Sequence, residues 1–299
     1  MTTIQEITCK SALNKVDSFL PFHWDLNPYR GCQHGCSYCF AQYSHAYLGS
    51  DHFFGEVFVK TNIAEVLDQQ LSAKTWNNEL INIGGIADCY QPVENIFRLM
   101  PTILRVMIKH KNPLSLVTKS SLLLRDLALY LQLAEVTSVN IGVTVITLDE
   151  AIRMIVEPYS SPSLDRFEVL EAFKGTTVKT SLLLSPILPY ITDGEENLSS
   201  ILREARRVGV SQLYYSVLNL RGKSKAVFLQ LIQNHYPKLY PFYRGLYIGS
   251  DAQSHYKNSV KARMNQLKEE FGFDNPNTSQ PKNEMGKRKR MRSLSEFLG

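Results

Sequence analysis

Long apolar runs are missing from this 299-residue chain. None approaches the roughly 20 residues that span a bilayer. The first residues, MTTIQEITCKSALNKVDSF, lack the charged start and apolar block of a secretory signal. The expectation is a cytoplasmic protein with no membrane partner. Strong net charge is missing as well. The total is +5, and residues 281–299 hold six Lys/Arg against two acids, which leaves +1 for residues 1–280. Binding of nucleic acid by bulk charge would therefore rest on the tail segment KRKRMR, which reads equally as a solvated, disordered end. Cysteine is scarce, five in all, yet three of them fall at positions 32, 36 and 39. In a reducing compartment such crowding points to metal binding or catalysis rather than to disulfides.

What is present suits a globular protein. Hydrophobic residues make up 44% and charged residues 20%, enough for one large domain or two ordinary ones. Short β-like runs alternate with helical stretches. The runs are HWDL (23–26), INIGGIAD (81–88), LSLVTKS (114–120), SVNIGVTVI (138–146), VKTSLLLSPILP (178–189) and QLYYSVLNL (212–220). Between them lie the helical patterns 95–110, 122–135, 163–175 and 197–209, the third opened by a serine cap and the last two closed by glycine. About six strand–helix units predict a parallel sheet with helical crossovers and both faces covered. Periodicity alone leaves an open doubly wound sheet and an incomplete barrel as alternatives. In either, chemistry gathers at the C-terminal strand ends. Those ends carry Asp88, Lys119 with Ser120, Thr147, Ser185, and Asn219 with Arg221. No boundary is evident before about residue 270. Residues 1–270 therefore read as one domain, and 271–299 as a polar, basic, disordered tail.

The thiols sit in NPYRGCQHGCSYCF (27–40), spaced C-x3-C-x2-C. Thiolate suits zinc or iron–sulfur clusters. Structural zinc takes four protein ligands, and only His34 lies close enough in sequence to be the fourth. Cys36 and Cys39 alone would fit a redox pair, which leaves Cys32 without a role. A four-iron cluster bound by three cysteines would keep one iron open for another ligand.

The spacing, with aromatic Tyr38 before the last cysteine, resembles the signature of the radical S-adenosylmethionine (SAM) superfamily. NPYRGCQHGCSYCFA (27–41) is similar to the spore photoproduct lyase-like branch, whose members carry NPYRGC-x-HGC-x-YCYA or close to it. VFVKTN (57–62), GGIADCYQPVE (85–94 with Gly84), VTKSSLLLRD (117–126), VTVITLDE (143–150), IVEP (155–158) and SPILPYITD (185–193) continue the match in order. The resemblance spans roughly residues 10–220. It implies an α/β fold, a partial (β/α)6 TIM-like barrel with a C-terminal extension. It also implies a [4Fe-4S] cluster on Cys32, Cys36 and Cys39, whose open iron would be chelated by the SAM methionine. Reduction would then cleave SAM to methionine and a 5′-deoxyadenosyl radical, with an external electron donor of flavodoxin or ferredoxin type.

Carried over residue by residue, the resemblance places Tyr38 beside the cluster and the adenine. Gly84, Gly85 and Asp88 would meet the methionine amino group, and Lys119 its carboxylate. Thr144, where relatives often have serine, would contact the ribose or carboxylate. Glu157 and Arg166 would belong to the SAM pocket. The chain departs from the branch at Phe40, Gln42 and Cys89, where Tyr, Arg and Pro are commoner.

Cys89 sits at a strand end where a thiol would be placed to donate a hydrogen atom to a product radical. The cysteine of photoproduct lyases aligns a few residues earlier, and a small buried thiol is the simpler reading. Asp88 doubles as a possible helix cap, and His34 as a partner for cluster sulfur. The late tyrosines either stack on bases or pack a C-terminal subdomain. Leu294, Phe297 and Leu298 faintly resemble peptides that dock on DNA sliding clamps. Three functions remain open: a radical enzyme acting on damaged DNA, the same chemistry on RNA, protein or a metabolite, and a zinc-held binding protein.

Overall fold

The computed structural model describes residues 2–16, 21–50 and 52–273. The chain opens with β1 (Thr3–Ile7), β2 (Leu13–Lys15), β3 (Trp24–Leu26) and β4 (Tyr29–Arg30), then β5 (Glu56–Lys60) and α1 (Ile63–Leu71). Alternation follows: β6 (Ile81–Ile83), α2 (Glu94–Phe97), α3 (Leu99–His110), β7 (Leu114–Thr118), α4 (Leu127–Val136) and β8 (Val139–Thr144). It continues through α5 (Glu150–Val156), α6 (Ser163–Glu171), β9 (Lys179–Ile187), α7 (Glu195–Val208) and β10 (Gln212–Val217). The helices α8 (Lys223–His235), α9 (Tyr240–Leu246) and α10 (Ser254–Glu270) end the described chain.

Seven strands share one sheet in the order β10-β9-β8-β7-β6-β3-β2. All neighbours are parallel except β2, which runs antiparallel to β3. The six parallel strands thus stand in chain order, with no reversal of direction across the sheet. That decides between the two architectures left open above. A doubly wound sheet reverses its strand order at a switch point, whereas a barrel winds one way. Among the described residues nothing pairs β10 with β2, so the fold is a partial (β/α)6 barrel. A second sheet, β1-β5-β4, lies outside this pattern and was not expected. Its first strand, TIQEI, is polar and mostly exposed, so no apolar periodicity announces it.

The strands bury one face more than the other. Leu114, Leu116, Ile141, Val143, Leu182 and Leu184 are fully buried against the helices. Ser115, Val117, Asn140, Ser181 and Leu183 alternate with them and are only half-buried. The inner face of the incomplete barrel is thus unevenly covered and largely polar, with Asp25, Asn82 and Thr144 buried on it.

Local departures have local causes. The helix expected over 95–110 breaks at Arg98, whose φ of 49° is left-handed. The one expected over 122–135 begins as a 3-10 turn, Ser121–Asp126, capped by Ser120 Oγ accepting from Leu122 N at 3.2 Å. Ser163 does not cap α6; it lies inside the first turn behind Pro162, and its N–H donates to Glu150 Oε1 at 2.8 Å. Gly209 does close α7, at φ 81°.

The C-terminal helices are tied to the barrel by phenols. Tyr243 donates to Pro189 O at 2.7 Å, Tyr247 to Leu218 O at 2.9 Å, and Tyr256 to Asp193 Oδ2 at 2.5 Å. These three tyrosines pack the extension. Among the described residues no helix is long and apolar enough to cross a membrane. The basic tail segment and Leu294, Phe297 and Leu298 lie outside the described residues.

Candidate functional site

The cysteine loop follows β4 and is stitched to three other segments. Gly31 turns the chain at φ 83°; a Cβ there would meet Glu56 O at 2.0 Å, so only glycine fits. Cys32 N donates to Phe53 O, and Ser37 N to Val156 O. Gln91, fully buried, donates to Gly31 O at 3.0 Å and accepts from Gln33 N at 2.9 Å. Gln33 Oε1 in turn accepts from Val93 N at 2.7 Å. Gln33 and Gln91 lie 58 residues apart, and no sequence pattern marks them as partners.

Cys32 and Cys36 are buried and Cys39 half-buried. Burial opposes ionisation of all three. For Cys32 the charge and hydrogen bonds of His34 outweigh burial and lower the thiol's pKa. Cys36 is pushed well up, and Cys39 up to about 11. Among the described residues, no three His, Cys, Asp or Glu side chains gather as ligands of a single ion.

Tyr38, between the last two thiols, donates its hydroxyl to Glu157 Oε1. Glu157 Oε2 pairs with Arg166 Nη2, and both side chains are fully buried. Arg166 also donates to Thr144 O and Ser161 O, each at 2.8 Å, and to Ser160 Oγ. One guanidinium thus joins the end of β8, the turn after α5 and the aromatic of the cysteine motif. Lys119, at the end of β7, sets its ammonium 5.8 Å from the Tyr38 ring centre. Burial alone would lower its pKa, but the charges of Cys36, Glu157 and Asp88 outweigh this and raise it.

Gly84 takes φ 85°, and its N–H donates to Leu26 O at 2.9 Å. Gly85 rests on Asp25, which accepts from Asn82 Nδ2 at 2.7 Å and from Asn27 Nδ2. Asp88 does not cap a helix. Its carboxylate accepts from Thr118 Oγ1 at 2.8 Å, Lys119 N at 2.8 Å and Tyr90 N at 2.9 Å. His34 Nδ1 lies 3.4 Å from its Oδ2. Burial raises the pKa of such a group, yet His34 and the backbone donors hold Asp88 well below the usual carboxylate range. Burial likewise disfavours the imidazolium of His34, but Asp88 and Cys32 lift it to about 10. A pocket of about 350 Å³ borders His34, with Tyr90, Asn95, Ser120, Tyr159 and Ser160 among its walls.

The structure therefore gathers Cys32, Cys36, Cys39, Tyr38, Asp88, Lys119, Glu157 and Arg166 around one loop, with Gly84, Gly85 and Thr144 at the adjoining strand ends. Cys89 lies beside the group, its sulfur 3.6 Å from where a Cβ on Gly84 would sit, but nothing leaves it open to a ligand. Its thiol is fully buried near Tyr29, Tyr90 and Tyr130, and burial with the Asp88 and Glu94 charges pushes its pKa well up. That is the setting of a small core thiol. Asn219, two residues past β10, donates to Asp251 Oδ1 at 2.8 Å, and the Arg221 backbone N–H donates to Ser224 Oγ.

The chain is similar to known proteins. The uncharacterized protein Rv2578c of Mycobacterium tuberculosis is 36% identical over 251 residues, covering 82% of this chain and 74% of the relative. The uncharacterized protein MJ0683 of Methanocaldococcus jannaschii is 28% identical over 216 residues, 72% of this chain and 77% of its own. Among solved structures, spore photoproduct lyase complexed with dinucleoside spore photoproduct superposes with a TM-score of 0.66. The match covers 90% of this chain and 79% of that one at 15% identity, a likeness of fold. A mutant of the same lyase with bound AdoMet and dinucleoside spore photoproduct matches equally well, at 0.66 and 14%. The family model described as the radical SAM superfamily matches residues 26–202, more than half of the chain and all of the loop, strand ends and ion pair above; the chain belongs to that superfamily.

Proposed function

We propose that Cys32, Cys36 and Cys39 hold a [4Fe-4S] cluster and that the chain uses it with SAM to act on damaged DNA, in the manner of a photoproduct lyase. Membership of the superfamily implies an iron–sulfur cluster and SAM. The observation that carries the reading is the donor set itself. Three soft thiols on one stitched loop, with His34 turned to Asp88 and away from a ligand role, leave a cluster one protein ligand short. The buried, hard-to-ionise Cys36 and Cys39 also fit ligands that wait for the charge of iron to stabilise their thiolates.

When bound, the cluster and SAM supply reductive cleavage of a sulfonium C–S bond to a 5′-deoxyadenosyl radical. The chain's own residues bind and orient. Lys119 carries a held positive charge suited to a carboxylate. Gly84 and Gly85 allow close approach to backbone at the end of β6. Arg166 and Glu157 lock the Tyr38 hydroxyl so that its ring keeps one orientation beside the thiols. The half-open inner face of the sheet offers the space for substrate. An external flavodoxin- or ferredoxin-type donor would supply the electron, and a lesion in duplex DNA would have to be flipped out to reach the site.

The near-neutral body, +1 over residues 1–280, favours a second reading in which the same chemistry serves a non-DNA substrate. Anaerobic reconstitution followed by reductive SAM cleavage tests both. Brown protein with about four irons and four sulfides per chain supports the cluster. A single tight zinc and no colour would sink it. Faster 5′-deoxyadenosine formation with UV-irradiated DNA supports the lyase-like reading, and indifference to every DNA supports the second.

A further inference from the structure

The inner faces of β8, β9 and β10 share one level row. Thr144 pairs with Leu183, and Leu183 with Tyr214. Neighbouring strands stand about 4.8 Å apart, which sets Tyr214 roughly 10 Å across the face from Thr144. Tyr214 is 47% exposed, on the last strand of the sheet. Its hydroxyl donates to Gln212 Oε1 at 3.1 Å, two residues back on the same face, so the ring lies along the strand. One step nearer the strand ends the ladder slips. Tyr215 pairs with Leu184 but Val217 with Ile187, so Ser185 and Pro186 together oppose Ser216. A bulge of this kind re-aims side chains. Here it brings Ser185 Oγ and Ser216 Oγ together at 2.5 Å. Ser216 is exposed and Ser185 half-buried, so each hydroxyl keeps bonding capacity beyond the bond they share.

We propose that Tyr214 is a stacking platform for one base of a DNA strand, and that Ser216, held by Ser185, reads the polar edge of that base. The inference rests on the proposed action on DNA and names the part of the substrate that this wall takes. No charge stands on the wall: Ser181, Leu183, Ser185, Gln212, Tyr214 and Ser216 are all neutral. A phosphate or an acidic metabolite finds no counter-charge there. A flat neutral ring with polar edges finds a ring to stack on and hydroxyls to bond. A base drawn out of the duplex loses its stacking neighbours, and an aromatic side chain replaces one of them. The strand-end residues carried over to SAM stop at Thr144 on β8. Tyr214 lies two strands beyond, at the open margin of the sheet, where a nucleic-acid strand has access. Both readers sit on strands, which hold them more rigidly than a loop would.

The test uses the full chain, reconstituted anaerobically, with Tyr214→Ala, Tyr214→Phe and Ser216→Ala. Fluorescence anisotropy reads affinity for UV-irradiated oligothymidylate and for an abasic strand of equal length, which keeps the phosphates and lacks the bases. Wild type is expected to prefer the irradiated strand about fivefold or more, the lower end for one stacked base. Tyr214→Ala should lose that preference, Tyr214→Phe keep most of it, and Ser216→Ala lose part of it. SAM affinity, by equilibrium dialysis, should stay within a fewfold of wild type in all three. Absence of the preference in wild type, or its survival in Tyr214→Ala, overturns the proposal, as does its loss in Tyr214→Phe. An affinity for SAM about tenfold or more weaker in Tyr214→Ala also overturns it, by giving the ring to SAM. A preference for oligouridylate over both deoxy strands overturns the assignment to DNA. Irradiated DNA that leaves 5′-deoxyadenosine formation by wild type unchanged sinks the parent reading and this one with it. Stimulation of wild type together with an unaffected Tyr214→Ala sinks this one alone.

Discussion

Glu157 Oε2 lies 2.7 Å from Arg166 Nη2, and neither side chain reaches solvent. Removing one member of such a pair leaves a buried charge uncompensated, at a cost of about 3–5 kcal/mol. Arg166→Met is therefore expected to lower the denaturant midpoint sharply. It also frees the carbonyls of Thr144 and Ser161. The paired variant Glu157→Leu with Arg166→Met should be less damaged than Arg166→Met alone, because no lone charge remains. Equilibrium unfolding of the three proteins checks this, and equal losses in the single and paired variants would count against it.

The same pair gives the stability an acid limb. Burial alone would raise the pKa of Glu157, but Arg166 and Lys119 outweigh it and lower the value below the ordinary 4.5. A depressed folded-state pKa means the stabilisation is complete above the unfolded value and is lost as pH falls through the folded one. The stability advantage of wild type over Glu157→Gln is thus expected to hold at neutral pH and to shrink below about pH 4.5. Unfolding curves across that range measure it; an advantage that grows on acidification would contradict the assignment.

Gly85→Ala is expected to cost about 1–3 kcal/mol, the range for overpacking. The added Cβ would sit 2.7 and 2.8 Å from the two oxygens of Asp25. Asp25 cannot swing aside cheaply, because Asn82 and Asn27 hold it. Combined with Asp25→Ala, the same substitution should cost clearly less than the sum of the two, a non-additivity that thermal or chemical unfolding would report.

Lys119→Met should leave iron and sulfide content unchanged while weakening SAM binding about tenfold or more, as expected when a charged hydrogen bond to a carboxylate is lost. Equilibrium dialysis on the reconstituted protein provides the number. Unaltered affinity would move Lys119 from ligand binding to a role in balancing the Glu157 and Asp88 charges.

Much of this arrangement is legible in the sequence. Strands such as LSLVT and SVNIGVT announce themselves because β-branched and aliphatic residues face helices, and the cysteine spacing marks the loop. What the sequence hides has a different cause. Gln33 with Gln91 and His34 with Asp88 are polar pairs separated by more than fifty positions; the two glutamines look like ordinary loop residues, and His34 and Asp88 stand out singly but not as a pair. Asp88 stands out by its place at a strand end and by the resemblance, and neither tells of the four groups around its oxygens. Ser163 misled as a cap because Glu150, thirteen residues earlier, takes the N–H that the serine would mark. The small sheet of β1, β4 and β5 escaped notice because its outer strand is polar and its pairing spans half a hundred residues.

Because the barrel stops at six parallel strands, β10 ends the sheet with a row of peptide groups that no further strand covers among the described residues. Such margins invite pairing with a neighbouring molecule. Here the margin is blunted just past its end: Asn219 bridges to Asp251, and Leu220 N donates to Ser250 O at 2.8 Å. The turn between α9 and α10 therefore acts as a guard rail at the end of the sheet. Chains shortened before residue 250 should associate edge to edge at concentrations where the intact protein stays monodisperse, a difference that light scattering would register.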